Sequence, residues 1–270
     1  LAFKLLTTAT LTTGTIFLMW VGEQISERGI GNGTSLLIFA GIAAGIPRGI
    51  GSTLGLYRSG ELSFFKIAMI SIVILITFFV IIFVERGSRR IPVQYAKRVV
   101  GRQVYGGQNT HLPLKVNTSG VIPPIFASSL LMFPATLATF VQTEFMQKIT
   151  GQLVPGALIY DIVFVSLIIF FAYFYTAVTF KTEDVAENLK KYGGFVPGIR
   201  PGQPTANYID HILSRITLGG AIYISAICVL PTLFNQTMKV PFYFGGTSVL
   251  ILVGVALDTV AQIETFLLTR

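Results

Sequence analysis

The stretch IAMISIVILITFFVIIFV, residues 67–84, contains eighteen consecutive residues without a charge. A helix of about 20 apolar residues spans the hydrocarbon core of a bilayer. The composition of the whole chain agrees, because 52% of its 270 residues are hydrophobic and only 12% are charged. Ordinary soluble domains carry about 25% charged residues. The sequence therefore predicts an all-α integral membrane protein.

Six further apolar segments accompany residues 67–84. Because lipid offers no hydrogen-bond partners, the backbone of each segment should be helical, and none shows the alternating strands of a β-barrel. We expect a multi-span helical bundle that forms one transmembrane domain over residues 1–270. The seven predicted spans are Leu5–Val21, Ser35–Ile50, Ile67–Val84, Gly120–Val141, Ala157–Phe180, Ile216–Met238 and Phe242–Ile263.

Basic residues are distributed unequally between the two sides of these spans. One side carries 14 Lys and Arg residues and the other carries 6, and the richer side is normally cytoplasmic. The two long loops, residues 85–119 and 181–215, are then cytoplasmic, and the N-terminus lies outside. If the complete chain starts in the cytoplasm, an odd number of spans precedes Leu1, so we expect a fragment of a longer protein.

The first long loop combines a strand pattern with positive charge. IPVQY (91–95) and LPLKV (112–116) alternate in polarity, and Gly106 and Gly107 lie between them, which predicts a β-hairpin with a basic face. That face would suit docking of a partner by charge or contact with anionic lipid head groups. The basic residues near its start are Arg86, Arg89, Arg90, Lys97, Arg98 and Arg102.

The second long loop contains FVPGIRPGQPT, residues 195–205, with three prolines, two glycines and one arginine, Arg200. Proline and a fixed turn reduce the entropy that is lost when a side chain is bound. Thr182 and Thr205 are predicted to cap the short helices on either side. Arg200 is therefore predicted to dock a cytosolic partner through RNA phosphate or an acidic protein groove, and an internal ion pair with Asp210 is the alternative.

Two features suggest that the spans surround a conduit. Gly41, Gly45 and Gly49 are spaced four residues apart, which lets helix backbones approach closely. Pro123 and Pro124 are expected to weaken hydrogen bonding at the start of the fourth span.

The sequence lacks a set of zinc ligands and a nucleotide-binding motif. The two histidines, His111 and His211, are isolated, and the one cysteine, Cys228, cannot complete a zinc site. No G-x-x-x-x-G-K-[ST] phosphate-binding loop occurs. We expect no catalytic residues, metal or cofactor, and no enzyme activity. A secondary transporter with broken helices is the alternative, although it would require a polar site at mid-depth.

Five long stretches carry a resemblance to a known family. They are GEQISERGIGNG (22–33), FVERGSRR (83–90), THLPLKVNTSGVIPPIFASSLLMFPAT (110–136), NLKKYGGFVPGIRPGQPTANYID (188–210) and MKVPFYFGGTSVLI (238–251). On these stretches the chain resembles the SecY family, the protein-conducting channels of the bacterial Sec translocon. The family has ten spans in two pseudo-symmetric halves around an hourglass pore, so the resemblance implies that this chain contains spans four to ten.

The resemblance also implies a function and a pore. The chain would belong to the central channel subunit, which conducts unfolded secretory polypeptides across the cytoplasmic membrane and releases transmembrane segments into lipid. Ile38, Ile125 and Ile251 fall at the positions of the pore ring, and an empty apolar ring disfavours water and ions. Because Ile125 would otherwise lie too shallow, we expect its helix to begin before Gly120.

The remaining implications concern the gate and the partners. The fourth span resembles the lateral-gate helix and would place Pro123, Ser128 and Ser129 on that element. The loops resemble those that bind the ribosome or the SecA motor ATPase, with Arg200 and Arg102 at the docking positions. Further implied partners are the small membrane subunits SecE and SecG, signal peptides and nascent chains, and anionic lipid.

Overall fold

The structure is a computed structural model that describes residues 2–60, 62–95, 98–100, 103–105, 109–140, 150–154, 156–238 and 245–268. Its helices are α1 (Ala2–Arg28), α2 (Gly33–Arg58), α3 (Phe64–Glu85), α4 (Ile122–Phe140), α5 (Leu158–Thr179), α6 (Thr182–Lys191), α7 (Gln203–Met238) and α8 (Gly246–Leu268). Its strands are β1 (Ser88–Tyr95), β2 (Arg98–Val100), β3 (Gln103–Tyr105), β4 (Asn109–Lys115) and β5 (Gly194–Phe195). The chain forms two compact units, the first from Leu1–Ile82 and Pro241–Arg270 and the second from Phe83–Val240.

The predicted spans correspond to helices. Within the described residues, six helical segments are long and apolar enough to cross a membrane, and they contain α1, α2, α3, α5, α7 and α8. The remaining predicted span corresponds to α4, which has 19 residues. The prediction of a multi-span helical membrane protein is thus confirmed. One boundary differs, because α7 begins at Gln203 and continues as a single helix of 36 residues through the predicted sixth span.

In the first unit, α1 and α2 form a hairpin whose helices approach most closely at two glycines. A Cβ atom added to Gly33 would collide with the carbonyl oxygen of Gly22. The amide of Gly33 donates a 2.8 Å hydrogen bond to the hydroxyl of Ser26, so the backbones are joined as well as close. Glycine is required here because any side chain would separate the two helices.

This contact is not the one that the sequence predicted. A Cβ added to Gly41 or Gly45 would meet no other atom within 4 Å in the described part of the chain. The close approach occurs at the turn between α1 and α2, where Gly31 has a φ of 97°. The amide of Ser35 then donates to the Asn32 side chain at 3.2 Å and starts α2. Helix α8 also packs against α2 in this unit.

The membrane helices of the second unit pack through small and branched side chains. Ala127 of α4, together with Ile168 and Ala172 of α5, has no exposed surface. Phe126 and Phe171 stack across the α4–α5 contact with ring centroids 5.6 Å apart. Helix α5 also packs against α7, so these three helices form one apolar layer.

The loop between α3 and α4 and the loop between α5 and α7 together form a sheet. Strand β1 pairs antiparallel with β4, with Ile91 opposite Leu112, which confirms the predicted hairpin. Strand β1 also pairs with β5, with Gln94 opposite Phe195. Because β5 belongs to the second loop, this pairing joins the two loops. We call the assembly of β1, β4, β5, α6 and the first three turns of α7 the loop module.

An apolar core lies within the loop module. Ile91 and Leu114 from the pair of strands β1 and β4, which we call the ribbon, meet Val196 and Ile209 from the second loop, and each is at most 3% exposed. Burying such side chains stabilises by about 1.5–3 kcal/mol each. The loop module is therefore a packed structure and not a pair of independent loops.

Three expectations about helix starts are wrong. Helix α4 begins at Ile122, after Gly120 with its φ of 63°, and not before Gly120. Thr182 is the first residue of α6, which is capped by Lys181 without a side-chain hydrogen bond. Thr205 lies inside α7, because the helix already begins at Gln203. In each case the local pattern identified the correct region but not the first helical residue.

The predicted weakening of α4 by its first two prolines is also wrong. Pro123 and Pro124 are buried in the first turn, where backbone N–H groups have no partner within the helix in any case. Pro134 lies inside α4 and does remove one internal hydrogen bond. The weaker point of this helix is therefore at Pro134 and not at its entry.

Candidate functional site

The turn that carries Arg200 lies at the surface of the loop module. The amide of Ile199 donates to the carbonyl of Val196 at 3.0 Å, and Gly198 has a φ of 82°. Val196 is 3% exposed and anchors the turn in the apolar core, whereas the Arg200 side chain is exposed. The turn thus has a buried base and a charged outer end.

A second set of hydrogen bonds holds the other side of this turn. Thr205 donates its hydroxyl hydrogen to the carbonyl oxygen of Arg200 at 2.8 Å. The amides of Thr205 and Ala206 both donate to the carbonyl of Gly202, at 3.0 and 3.1 Å. Gly202 has a φ of 105°, a conformation that residues with a side chain rarely adopt. The backbone on both sides of Arg200 is therefore fixed before anything binds.

The guanidinium group of Arg200 is available to a ligand. Arg200 forms no ion pair with any residue that the structure describes, and this includes Asp210, the predicted internal alternative. Asp210 is exposed on α7 and lines a separate cavity. A forked cation on a rigid turn is suited to phosphate or carboxylate.

The ribbon separates its two adjacent arginines. Successive residues of a strand point to opposite faces, so Arg90 lies on the face opposite to that of Arg89. Arg89 shares its face with the buried Ile91 and Val93. The predicted basic face therefore contains Arg90 but not Arg89, although both side chains are exposed.

Two further residues lie on the basic face, although the local sequence pattern did not place them there. Lys115 is paired with Ser88, and His111 is paired with Pro92, and residues that are directly opposite share a face. Arg90, Lys115 and His111 are all exposed. Alternation within LPLKV could have identified Lys115, but only after the register with β1 was known.

Of the other predicted docking residues, Arg98 is the first residue of β2 and pairs with Tyr105 of β3. Lys97 and Arg102 lie outside the described residues. The structure thus brings Arg90 and Arg200 into one packed module.

The entry of α4 is held by a buried asparagine that the sequence did not single out. Asn117 is 4% exposed, and its side-chain N–H groups donate to Glu85 Oε1 at 2.6 Å and to the Gly120 carbonyl at 3.3 Å. Ser119 donates to Asn117 Oδ1 at 3.3 Å. These bonds connect the end of α3, the end of the ribbon and the start of α4. Asn117 is the first of three consecutive polar residues, and the local sequence does not distinguish it from Thr118 and Ser119.

The predicted gate residues lie on α4. Pro123 is buried in its first turn. The hydroxyls of Ser128 and Ser129 both donate to the carbonyl oxygen of Ile125, at 2.9 and 2.8 Å. Their polarity is therefore satisfied within the helix, which lets this face lie against an apolar surface.

The three predicted ring residues lie on three helices. Ile38 on α2 is 40% exposed and Ile251 on α8 is 6% exposed, and these two helices pack together in the first unit. Ile125 is half-buried in the first turn of α4, in the second unit. All three side chains are apolar, as a constriction requires.

Comparison with solved structures identifies the class of fold. One is described as "The structure of a protein conducting channel", with a TM-score of 0.69, and it matches 94% of this chain and 63% of its own. Another is described as "The plug domain of the SecY protein stablizes the closed state of the translocation channel and maintains a membrane seal". It has a TM-score of 0.68 and matches 94% of this chain and 64% of its own. Both are 20% identical in sequence. The chain is thus a polytopic helical membrane protein with the fold of the protein-conducting channels.

Sequence relatives identify the family. The family model described as SecY matches residues 2–260. The "Protein translocase subunit SecY" of Escherichia coli (strain K12) is 52% identical over 272 residues, which cover 99% of this chain and 61% of the relative. The protein of the same name from Vibrio cholerae is 50% identical over 275 residues, which cover 99% of this chain and 62% of the relative. The chain belongs to the SecY family.

The family match has two consequences. This is a multi-pass protein of the bacterial cytoplasmic membrane, and nothing in the match supports the secondary-transporter alternative. The chain spans 61–62% of the length of the relatives from Escherichia coli and Vibrio cholerae.

Proposed function

We propose that this chain is part of the central subunit of a protein translocation channel. It would conduct unfolded secretory polypeptides across the cytoplasmic membrane and release transmembrane segments into lipid. The observation that carries this proposal is the family match over residues 2–260, combined with relatives named as protein translocase subunits. The sequence contains no nucleotide-binding loop, so the energy for transport would come from a partner.

The loop module is the proposed docking surface for that partner, the SecA motor ATPase or the ribosome. Arg200 supports this role because its side chain is exposed and its backbone is held on both sides. Because this turn is preorganised, it loses little conformational entropy when a partner binds the arginine side chain. The basic side chains of the ribbon, including Arg90, would add attraction for rRNA or for anionic lipid. The remaining proposed contacts in the first loop are Arg89, Lys97, Arg98 and Arg102.

The proposed seal of the channel is a ring that contains Ile38, Ile125 and Ile251. A narrow apolar ring excludes water and ions when it is empty. It can widen around a polypeptide because its side chains make no strong directional bonds with the passenger. The ring would therefore pass signal peptides and nascent chains of many sequences.

Helix α4 is the proposed moving wall of a lateral gate, with Pro123, Ser128 and Ser129 on it. The start of α4 is tethered by Asn117, while Pro134 weakens its interior. A helix held at one end and weakened further along can bend without losing its anchor. SecE and SecG would support the assembly as small membrane subunits.

Photo-crosslinking to a trapped passenger tests the channel proposal. Benzoylphenylalanine would replace Ile125 or Ile251 in the full-length natural protein, in vesicles that hold a stalled secretory precursor. We expect a covalent adduct with the precursor at both positions. The control position is Val178 on α5, which is 61% exposed and is expected to react with lipid alone. Adducts at Val178 but at neither isoleucine would contradict a polypeptide path along this ring.

A further inference from the structure

The segment that joins β4 to α4, residues 116–121, lies between the end of α3 and the middle of α7 in the second unit. The amide of Val116 donates to the carbonyl of Gly87, just beyond the end of α3, at 2.9 Å. On the other side, a Cβ atom added to Gly220 of α7 would lie 2.7 Å from the carbonyl oxygen of Val116. The backbone of α7 therefore lies directly against this segment, and a side chain at position 220 would push the two apart.

Asn117, the next residue, bonds in the direction opposite to that of a helix cap. A capping side chain accepts hydrogen bonds from free amides at the start of a helix. The Asn117 side chain instead donates its N–H groups to Glu85 Oε1 at 2.6 Å and to the Gly120 carbonyl at 3.3 Å. A carboxylate can only accept, so Asn117 has to present an N–H group to Glu85. We call these two bonds the Asn117 clamp.

The clamp is shielded from solvent. Asn117 is 4% exposed and Ser119 is 3% exposed, and the Ser119 hydroxyl donates to Asn117 Oδ1 at 3.3 Å. Hydrogen bonds are stronger in such surroundings than in water, and a bond to a carboxylate is roughly twice as strong as one between neutral groups. The start of α4 cannot move away from α3 without breaking the bond between Asn117 and Glu85. The clamp therefore opposes such a movement.

We propose that Asn117 is a positioning residue of the lateral gate, and that the clamp holds α4 in its resting position against the end of α3. This inference rests on the proposed gate role of α4. A passenger segment enters lipid when the free energy that it gains there exceeds the free energy needed to move α4 aside. A weaker clamp lowers the second quantity, so segments of intermediate hydrophobicity leave the channel more often. Asn117 thus contributes to the choice between transport across the membrane and release into it.

Exchanging the donor and the acceptor tests the clamp directly. Asn117→Asp places two carboxylates against each other and should speed amide exchange at residues 125–128 by at least about tenfold. Adding Glu85→Gln returns an N–H donor to the pair and should restore slow exchange. Hydrogen exchange of the full-length protein in nanodiscs is measured by mass spectrometry. Thr118→Val is the matched control, because the Thr118 hydroxyl donates to the Lys115 carbonyl at 3.0 Å and this bond reaches neither helix.

The exchange data can contradict the clamp in two ways. Exchange that is unchanged in Asn117→Asp, or that stays fast after Glu85→Gln is added, would overturn the assignment. If Asn117→Asp does not fold, the double variant decides. A double variant that folds and exchanges slowly supports the clamp, and one that also fails to fold overturns it.

The effect on release is measured with a secretory precursor that carries an internal segment of intermediate hydrophobicity. Inverted vesicles contain the full-length protein with its membrane partners. A segment that is carried across leaves the whole precursor protected from protease, whereas a released segment leaves a shorter protected fragment. We expect Asn117→Asp to raise the ratio of the shorter to the full-length product at least about threefold, and the double variant to return it to the natural value.

The ratio separates a gating role from a general loss of structure, because a damaged channel would yield less of both products at an unchanged ratio. An unchanged ratio in Asn117→Asp would therefore overturn the role of Asn117 while leaving the proposed function intact. If the natural protein yields no shorter fragment at any hydrophobicity of the segment, the gate role of α4 fails, and this inference fails with it. The exchange data would in that case still show whether Asn117 fixes the start of α4.

Discussion

Thr205 donates its hydroxyl hydrogen to the carbonyl oxygen of Arg200 at 2.8 Å, and Thr205 itself is 1% exposed. A fully buried side chain thus holds the backbone of an exposed arginine. The bond spans five residues, from the first turns of α7 back to the outer end of the loop module. The position of the Arg200 guanidinium is therefore set from inside the module.

Replacing Thr205 by valine removes this bond while keeping the shape of the side chain. We expect a loss of about 1 kcal/mol in local stability, equivalent to about fivefold faster amide exchange at Thr205 and Ala206. Hydrogen exchange measured by mass spectrometry is the readout. Thr7→Val is the control, because the Thr7 hydroxyl donates to the carbonyl four residues earlier within α1 and such bonds contribute little. Unchanged exchange in Thr205→Val would show that the bond does not hold the turn.

Reversing the charge of Arg200 should impair transport and leave membrane insertion intact. A charge-assisted contact is worth about 1.5–3 kcal/mol, so Arg200→Glu should reduce partner-driven transport by about tenfold or more. The measurement is protease protection of a secretory precursor in inverted vesicles, with carbonate extraction to verify insertion.

The matched control for this experiment is Lys190→Glu. Lys190 is an exposed cation of the same module, in the last turn of α6. Normal transport with Arg200→Glu, or an equal loss with Lys190→Glu, would defeat the docking role of Arg200.

The helix hairpin of the first unit should depend on one glycine and tolerate change at another. Gly33→Ala introduces a Cβ against the carbonyl of Gly22, and forced overpacking of this kind destabilises by about 1–3 kcal/mol or more. Gly41→Ala on the same helix meets no atom of the described residues within 4 Å and should be neutral, or stabilising by about 0.5–1 kcal/mol. Thermal unfolding of the purified protein compares the two variants. The same melting temperature for both would refute the close contact at Gly33.

Polar substitutions in the proposed ring should make the resting channel leak. Ile125→Asn and Ile251→Asn place an amide where an apolar surface excludes water, so we expect higher ion conductance without a passenger. Planar-bilayer recordings of the reconstituted protein measure it. Ile125→Val and Ile251→Val keep the ring apolar and should remain sealed. Conductance that is unchanged in both asparagine variants would remove these residues from the constriction.

The membrane spans could be predicted because each depends on its own composition. The predicted span Ile67–Val84 corresponds to α3, Phe64–Glu85, since a bilayer requires a helix wherever such a segment crosses it. The hairpin was predictable for a similar reason. Alternation in IPVQY and LPLKV marked both strands, and Ile91 pairs with Leu112.

The contacts between distant segments could not be predicted. Strand β5 has two residues, Gly194 and Phe195, which is too short for a strand pattern. The hydrogen bond from Asn117 to Glu85 joins residues 32 positions apart. The membership of Lys115 in the basic face depends on register. In these cases a residue acquires its role only from a partner that local sequence does not specify.

The amino-acid sequence by itself determined the membrane-spanning class and the placement of Arg200 on a turn rich in proline and glycine. Each follows from short-range effects, namely the transfer of apolar side chains into lipid and the restricted backbone angles of proline. Only the tertiary structure decided that the two loops share one core through Ile91 and Val196, and that Asn117 holds the end of α3 to the start of α4. Those features arise because side chains far apart in the chain meet, and their pairing depends on how the helices pack.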